Sequence, residues 1–296
     1  GSILASTNTS APTLKIGDAS GVPSRSFNLL RVENGGVVSN LNVWVGPLSQ
    51  CDGSGVIVTS GGKVYGQMTV GYNNYSNSVS ITGGNGVQSL WNCMNTTVGI
   101  NAGPQAYSRH SLRIDGAGYD GSAVVTNATA VNVVPAGYSG IWCSLIVTNR
   151  GRLHASGLLN VGGIQAALPA SNNFVLVTQG SKVFVTGLTV GVGNSNLVNV
   201  SGTDSLLSLG GGNLTIGSAT RTGNQITIGP NAAVTNVGTL NVYGGNTLNL
   251  FGGALTGSAL TMNPGVLIGL DVSNPGAMVF SGAATVDGTV FPTNFP

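Results

Sequence analysis

Charge is what this sequence has least of. Ten Lys and Arg and eight Asp and Glu make only 6% of the 296 residues ionisable in this way, against about 25% in typical soluble proteins. A net charge of +2 with scattered basic residues excludes a nucleic-acid footprint. Low charge often accompanies disorder, but disorder needs a shortage of apolar residues, and here 41% are hydrophobic. No run approaches the roughly 20 consecutive apolar residues of a membrane-spanning helix, so no transmembrane segment is expected. The 48 glycines follow no Gly-X-Y period, which excludes collagen. Cysteine is scarce and odd in number: Cys51, Cys93 and Cys143 allow at most one internal disulfide. All three read as lying between strands, and Cys51–Cys93 is the candidate pair. No Cys/His spacing suggests zinc, and no cofactor or metal is expected.

What is present is a repeat. A short phrase recurs as Val43-Trp-Val-Gly46, Met68-Thr-Val-Gly71, Thr96-Thr-Val-Gly99, Leu159-Asn-Val-Gly162, Leu188-Thr-Val-Gly191, Leu214-Thr-Ile-Gly217 and Leu240-Asn-Val-Tyr-Gly244. Successive closing glycines lie 25 (46 to 71), 28 (71 to 99), 29 (162 to 191), 26 (191 to 217) and 27 (217 to 244) residues apart. The gap from Gly99 to Gly162 has room for two units, with Val131-Asn-Val133 near its middle. A fixed period of this size signals a repeat architecture.

Within each phrase the first and third residues are apolar and the middle one is polar, the alternation of a strand with one face inward. Such short strands are unstable as lone hairpins but pair above and below when stacked about 4.8 Å apart. Glycine supplies the corners, and β-branched residues, Gly and Asn exclude helix. The predicted fold is therefore all-β: a right-handed parallel β-helix (β-solenoid) with coils of about 25–29 residues. Residues 1–27 read as an N-terminal arm or cap and 28–265 as the solenoid, irregular and loop-bearing at 100–143. Residues 266–296 read as a terminal coil or C-terminal docking segment.

Leu-Thr-Val-Gly, followed by Asn-x-Leu-x-Val and Gly-Gly-x-Val, resembles the β-strand repeats of autotransporter-type passengers and related bacterial surface proteins. Matching copies cover about 28–99 and 144–253. The resemblance implies an extracellular or cell-surface β-helix serving as a stalk, adhesin or surface layer. The charge-poor, Asn-rich composition points to an exported protein as well.

Neither end reads as the polar cap that natural arrays use to close a sheet edge. Ile3, Leu4, Phe280, Phe291 and Phe295 are therefore the candidate assembly residues, for a homopolymer stacking head to tail into a filament or surface layer. A strand from Ile3-Leu4-Ala5 added to a neighbour's edge would reinforce it. The alternative is glycan or host-surface binding through loop aromatics Tyr107, Tyr119, Tyr138 and Trp142. A third reading, a polysaccharide-active enzyme, would draw on His110, Arg113, Asp115 and Asp120 for acid/base work. Against it, Arg113 and Asp115 share an outward face and read as a solvated pair. Gly83-Gly-Asn-Gly86 resembles a calcium nonapeptide but carries Gln88 at the Asp position and has no second copy. The expected protein is a non-enzymatic structural subunit.

Overall fold

The computed structural model describes residues 2–5, 13–17, 27–47, 52–71, 75–100, 109–134, 141–162, 170–191 and 193–293. The chain is an all-β solenoid with no helix among them. Each coil lays down three strands in a fixed order, and every coil adds one strand to each of three parallel faces. One coil shows the plan. Phe174–Thr178 lies on face 1, Lys182–Phe184 on face 2 and Leu188–Val190 on face 3. The next coil repeats it with Leu197–Ser201, Leu206–Ser208 and Leu214–Ile216, each paired in parallel with its predecessor.

The alternation read from the sequence is the alternation seen. Val175, Val177, Val183, Leu188 and Val190 are essentially buried, while the residues between them look outward. Columns of Val, Leu and Ile run the length of the solenoid as one continuous core. Full burial of each such side chain is favourable by about 1.5–3 kcal/mol relative to exposure, which compensates for strands only three to five residues long.

Coil length varies more than the closing glycines suggest. In-register partners are 20 residues apart at Thr247 and Leu267 but 33 apart at Ser78 and Ser111. The difference is taken up at corners, so the columns persist through the irregular middle. Ser111–Asp115 pairs with both Ser78–Thr82 and Ser144–Thr148.

Two local readings are corrected. Thr96-Thr-Val-Gly99 does not align with Met68-Thr-Val-Gly71: Gly99 pairs with Thr69 and Ile100 with Val70. The core pair is Val98 and Ile100, two residues further on. A slip of two preserves which residues face inward, so alternation alone does not detect it. Cys93 is not between strands; it lies within the strand Ser89–Ile100, fully buried. Burial pushes its thiol up to about 12, which makes it a core side chain rather than a reactive one. Cys51 lies outside the described residues.

At the corner leading into face 1, a buried asparagine ladder joins the coils. Asn173, Asn196, Asn224 and Asn246 occupy equivalent positions, all buried. The Asn224 Oδ1 accepts from the Asn196 backbone N–H at 3.1 Å and from its Nδ2 at 3.0 Å. The Asn246 Oδ1 does the same for Asn224 at 3.0 Å each. Earlier in the chain Asn77 holds the ladder position, its Oδ1 accepting from the Ser54 N–H, and His110 takes it in the next coil, its Nδ1 accepting from the Asn77 N–H. Each rung thus satisfies a backbone donor that the corner withdraws from water.

This ladder explains four of the closing glycines, Gly71, Gly162, Gly191 and Gly217. Gly191 has φ +86°, and a Cβ there would stand 2.1 Å from the Asn224 Oδ1. Gly71 holds the same relation to the His110 ring, at 2.2 Å. Gly191→Ala is expected to lower stability by at least about 1–2 kcal/mol from backbone strain alone. The displaced amide adds to this, and the shift of the urea midpoint measures the total.

Candidate functional site

Among the described residues, both ends of the solenoid leave inward core positions exposed. At the C-terminal end the last strands are Ala277–Phe280 on face 2, then residues 284–286 on face 3 and 289–293 on face 1. Val286 extends the column of Met262, and Val290 that of Ile268. Yet Val286 and Val290 are each 54% exposed, against 1% and 3% for those neighbours. Met278, in register with buried Leu255, is half-buried. No strand among the described residues pairs with the outer edges of these three segments.

The N-terminal end mirrors this on faces 1 and 2, whereas Ile16, the first inward residue of face 3, is already buried. Ile3–Ala5 does not extend away as an arm; it pairs with Val37–Ser39 of its own chain on face 2. Thr13–Ile16 pairs with Asn42–Val45 on face 3, and Leu29–Val32 opens face 1. Leu4 aligns with buried Val38 but is 47% exposed. Between these strands lies a hollow of about 310 Å³, lined by Ile3, Leu4, Leu30, Val32, Val37 and Val38 among others.

Of the assembly residues named from the sequence, Ile3 and Leu4 are exposed on that end. Phe280 and Phe291 are half-buried, their rings lying against the positions of Gly257 and Gly269. Phe295 is outside the described residues. Val286 and Val290 were not singled out, because period-2 alternation identifies an inward residue without saying whether a further coil covers it. Among the loop aromatics, Tyr119 and Trp142 are exposed and far apart in the repeat, and Tyr107 and Tyr138 lie outside the described residues.

The candidate acid/base residues are not brought together as a set. His110 is buried in the ladder. Asp115 accepts from Arg113 at 2.7 Å, from the Ala117 N–H and from Asn149 Nδ2, both at 2.9 Å. Burial alone raises the Asp115 carboxyl, but those hydrogen bonds and the Arg113 charge outweigh it and hold it below its ordinary value. Asp120 is lowered by the hydrogen bond from Arg152, partial burial opposing, and by the charges of Arg152, Lys182 and Arg150. Both carboxylates are ionised near neutral pH and neither holds a proton to donate. A group whose folded pKa is depressed stabilises the fold above its unfolded pKa and loses that contribution as pH falls through the folded value. The melting temperature is therefore expected to fall below about pH 4, and Asp115→Asn with Asp120→Asn to flatten that fall.

The chain matches no family model, no curated protein and no solved structure. Its solenoid architecture is therefore established by its own strands and register, and the groups it can present are the guide to function. No helix among the described residues is long and apolar enough to cross a membrane.

Proposed function

We propose that this chain is a non-enzymatic structural subunit whose solenoids stack head to tail into a filament or surface layer. The observation that carries the reading is the exposure of Val286 and Val290, inward-facing residues with no strand among the described residues above them. The occupant that suits them is a second copy, for three reasons. First, all pairings between named strands are parallel, so a translated copy presents edges of the right polarity on all three faces. Secondly, the last described segment, 289–293, lies on face 1 and the first, Ile3–Ala5, on face 2. A stacked copy therefore takes the next step of the same spiral. Thirdly, continuing the columns sets Met278 against Leu4, Val286 against Ile16 and Val290 against Leu30 of the neighbour, which places apolar groups at its 310 Å³ hollow. Asp287 follows the C-terminal face 3 segment and Lys15 lies on the N-terminal face 3 strand, so the meeting edges carry opposite charge.

Such a contact is heterologous and does not close, and it propagates as a fibre. An autotransporter-type or related surface setting outside the cell accords with the repeat phrases and the low charge, and belongs to this proposal. Electron microscopy and sedimentation of the purified chain over a range of concentrations test it. Fibres of uniform width, with length growing with concentration, are expected; a monomer at every concentration would overturn the reading.

A further inference from the structure

The few charges of this chain are not evenly spread. Asp120, Arg150, Arg152, Lys182 and Asp204 come from four successive coils and meet where face 1 turns into face 2. They flank a groove of about 360 Å³ lined by Asp120, Arg150, Gly180, Lys182, Asp204 and Leu206, within the size range of small-ligand sites. Arg152 is engaged by Asp120. Arg150, Lys182 and Asp204 have no ion-pair partner within 4 Å among the described residues.

Beside the groove is a stacked pair of aromatic rings. Arg152 and Lys182 are in register on neighbouring rungs, about 4.8 Å apart. Two residues further along each strand, on the same outward side, His154 and Phe184 stack with ring centroids 4.7 Å apart and planes 13° from parallel. Partial burial, and then the Arg152 charge, hold His154 below its ordinary pKa, so the pair presents uncharged aromatic edges near neutral pH. Its distance from the Lys182 position, two strand residues or about 7 Å, is within the span of one sugar ring.

We propose that this groove binds a carboxylate-bearing saccharide, with the acid group on Arg150 and Lys182, hydroxyls on Asp120 and Asp204, and the sugar's apolar C–H groups against the outward edges of Phe184 and His154. The charge balance selects this class. Three cations against two carboxylates leave one net positive charge, enough for one acid group of such a saccharide within the groove. A polyanion such as nucleic acid would meet Asp120 and Asp204 along its path, whereas a sugar offers these carboxylates hydroxyl donors. The site lies on the side of the solenoid, so end-to-end stacking leaves it open and the inference stands apart from the assembly reading.

The test is titration of the full chain, by calorimetry and by NMR, with a digalacturonate, its neutral galactose counterpart, inorganic sulfate and a mononucleotide. Digalacturonate is expected to bind at least tenfold more tightly than the other three. Arg150→Gln with Lys182→Gln should weaken it at least tenfold. Phe184→Ala should weaken digalacturonate severalfold while leaving any sulfate binding unchanged. These side chains project outward, and the β-sheet circular dichroism of each variant checks the fold. Absence of digalacturonate binding at millimolar concentration would overturn the proposal, as would equal binding of the neutral sugar or indifference to Arg150→Gln with Lys182→Gln. Equal binding of sulfate or mononucleotide would reduce the groove to a simple anion site and also overturn it.

Discussion

Asn224→Ala is expected to cost about 3–5 kcal/mol, far more than its small change in volume suggests. The substitution removes the acceptor for the Asn196 backbone N–H and one of two acceptors for the Asn196 amide, with the Asn224 donor to Asn246. Each lost hydrogen bond is worth about 1 kcal/mol net, and an orphaned buried donor about 1–3 kcal/mol. The stacked amides lie in the interior, where water does not replace them. Two comparisons separate this from a generic cavity effect. Asn224→His should lose less than half as much, since His110 natively fills this position and accepts the same backbone N–H through Nδ1. Its ring there lies over Gly71, and Gly191 is the equivalent glycine below Asn224. Asn241→Ala, on the outward side of face 3, should stay within about 1 kcal/mol. Because each coil contacts only its neighbours, hydrogen exchange should show the loss concentrated in the coils that hold Asn196, Asn224 and Asn246. Equal costs for Asn224→Ala and Asn241→Ala would refute the ladder's role.

The residues that form this ladder stand just before strands, as in Asn196-Leu-Val and Asn224-Gln-Ile, where nothing local marks them as buried. What identifies them as a buried column is their alignment across coils of unequal length. Asn196 and Asn224 are 28 residues apart, Asn224 and Asn246 only 22. Alternation, by contrast, is a local property, and so the strands and the inward side of each were legible without the structure. Properties that depend on register between coils were not. The slip at Val98 and Ile100 left the alternation intact. The Arg152–Asp120 pair bridges 32 residues, and the groove beside it draws on coils that no motif links. The same reasoning accounts for Val286 and Val290, whose inward direction is local but whose exposure depends on what stacks above.

Val286→Asp with Val290→Asp is expected to abolish polymer while leaving a folded chain. Both side chains are already more than half in water, so a carboxylate there costs the isolated solenoid little. In the stacked contact the same groups would be forced against Ile16 and Leu30, unpaired and away from water, at a cost of about 3 kcal/mol or more. That corresponds to at least a hundredfold rise in the concentration needed to assemble. Leu4→Asp should block growth from the opposite end by the same physics. Because the proposed contact joins unlike ends, the two blocked chains have a distinctive joint behaviour. Each alone should remain monomeric, but the chain blocked at Leu4 retains a competent C-terminal end, and the chain blocked at Val286 and Val290 a competent N-terminal end. Mixed, they should form one-to-one dimers that grow no further, visible as a single new species in sedimentation. A contact between like ends predicts the opposite, since each singly blocked chain would then dimerise through its intact end without its complement.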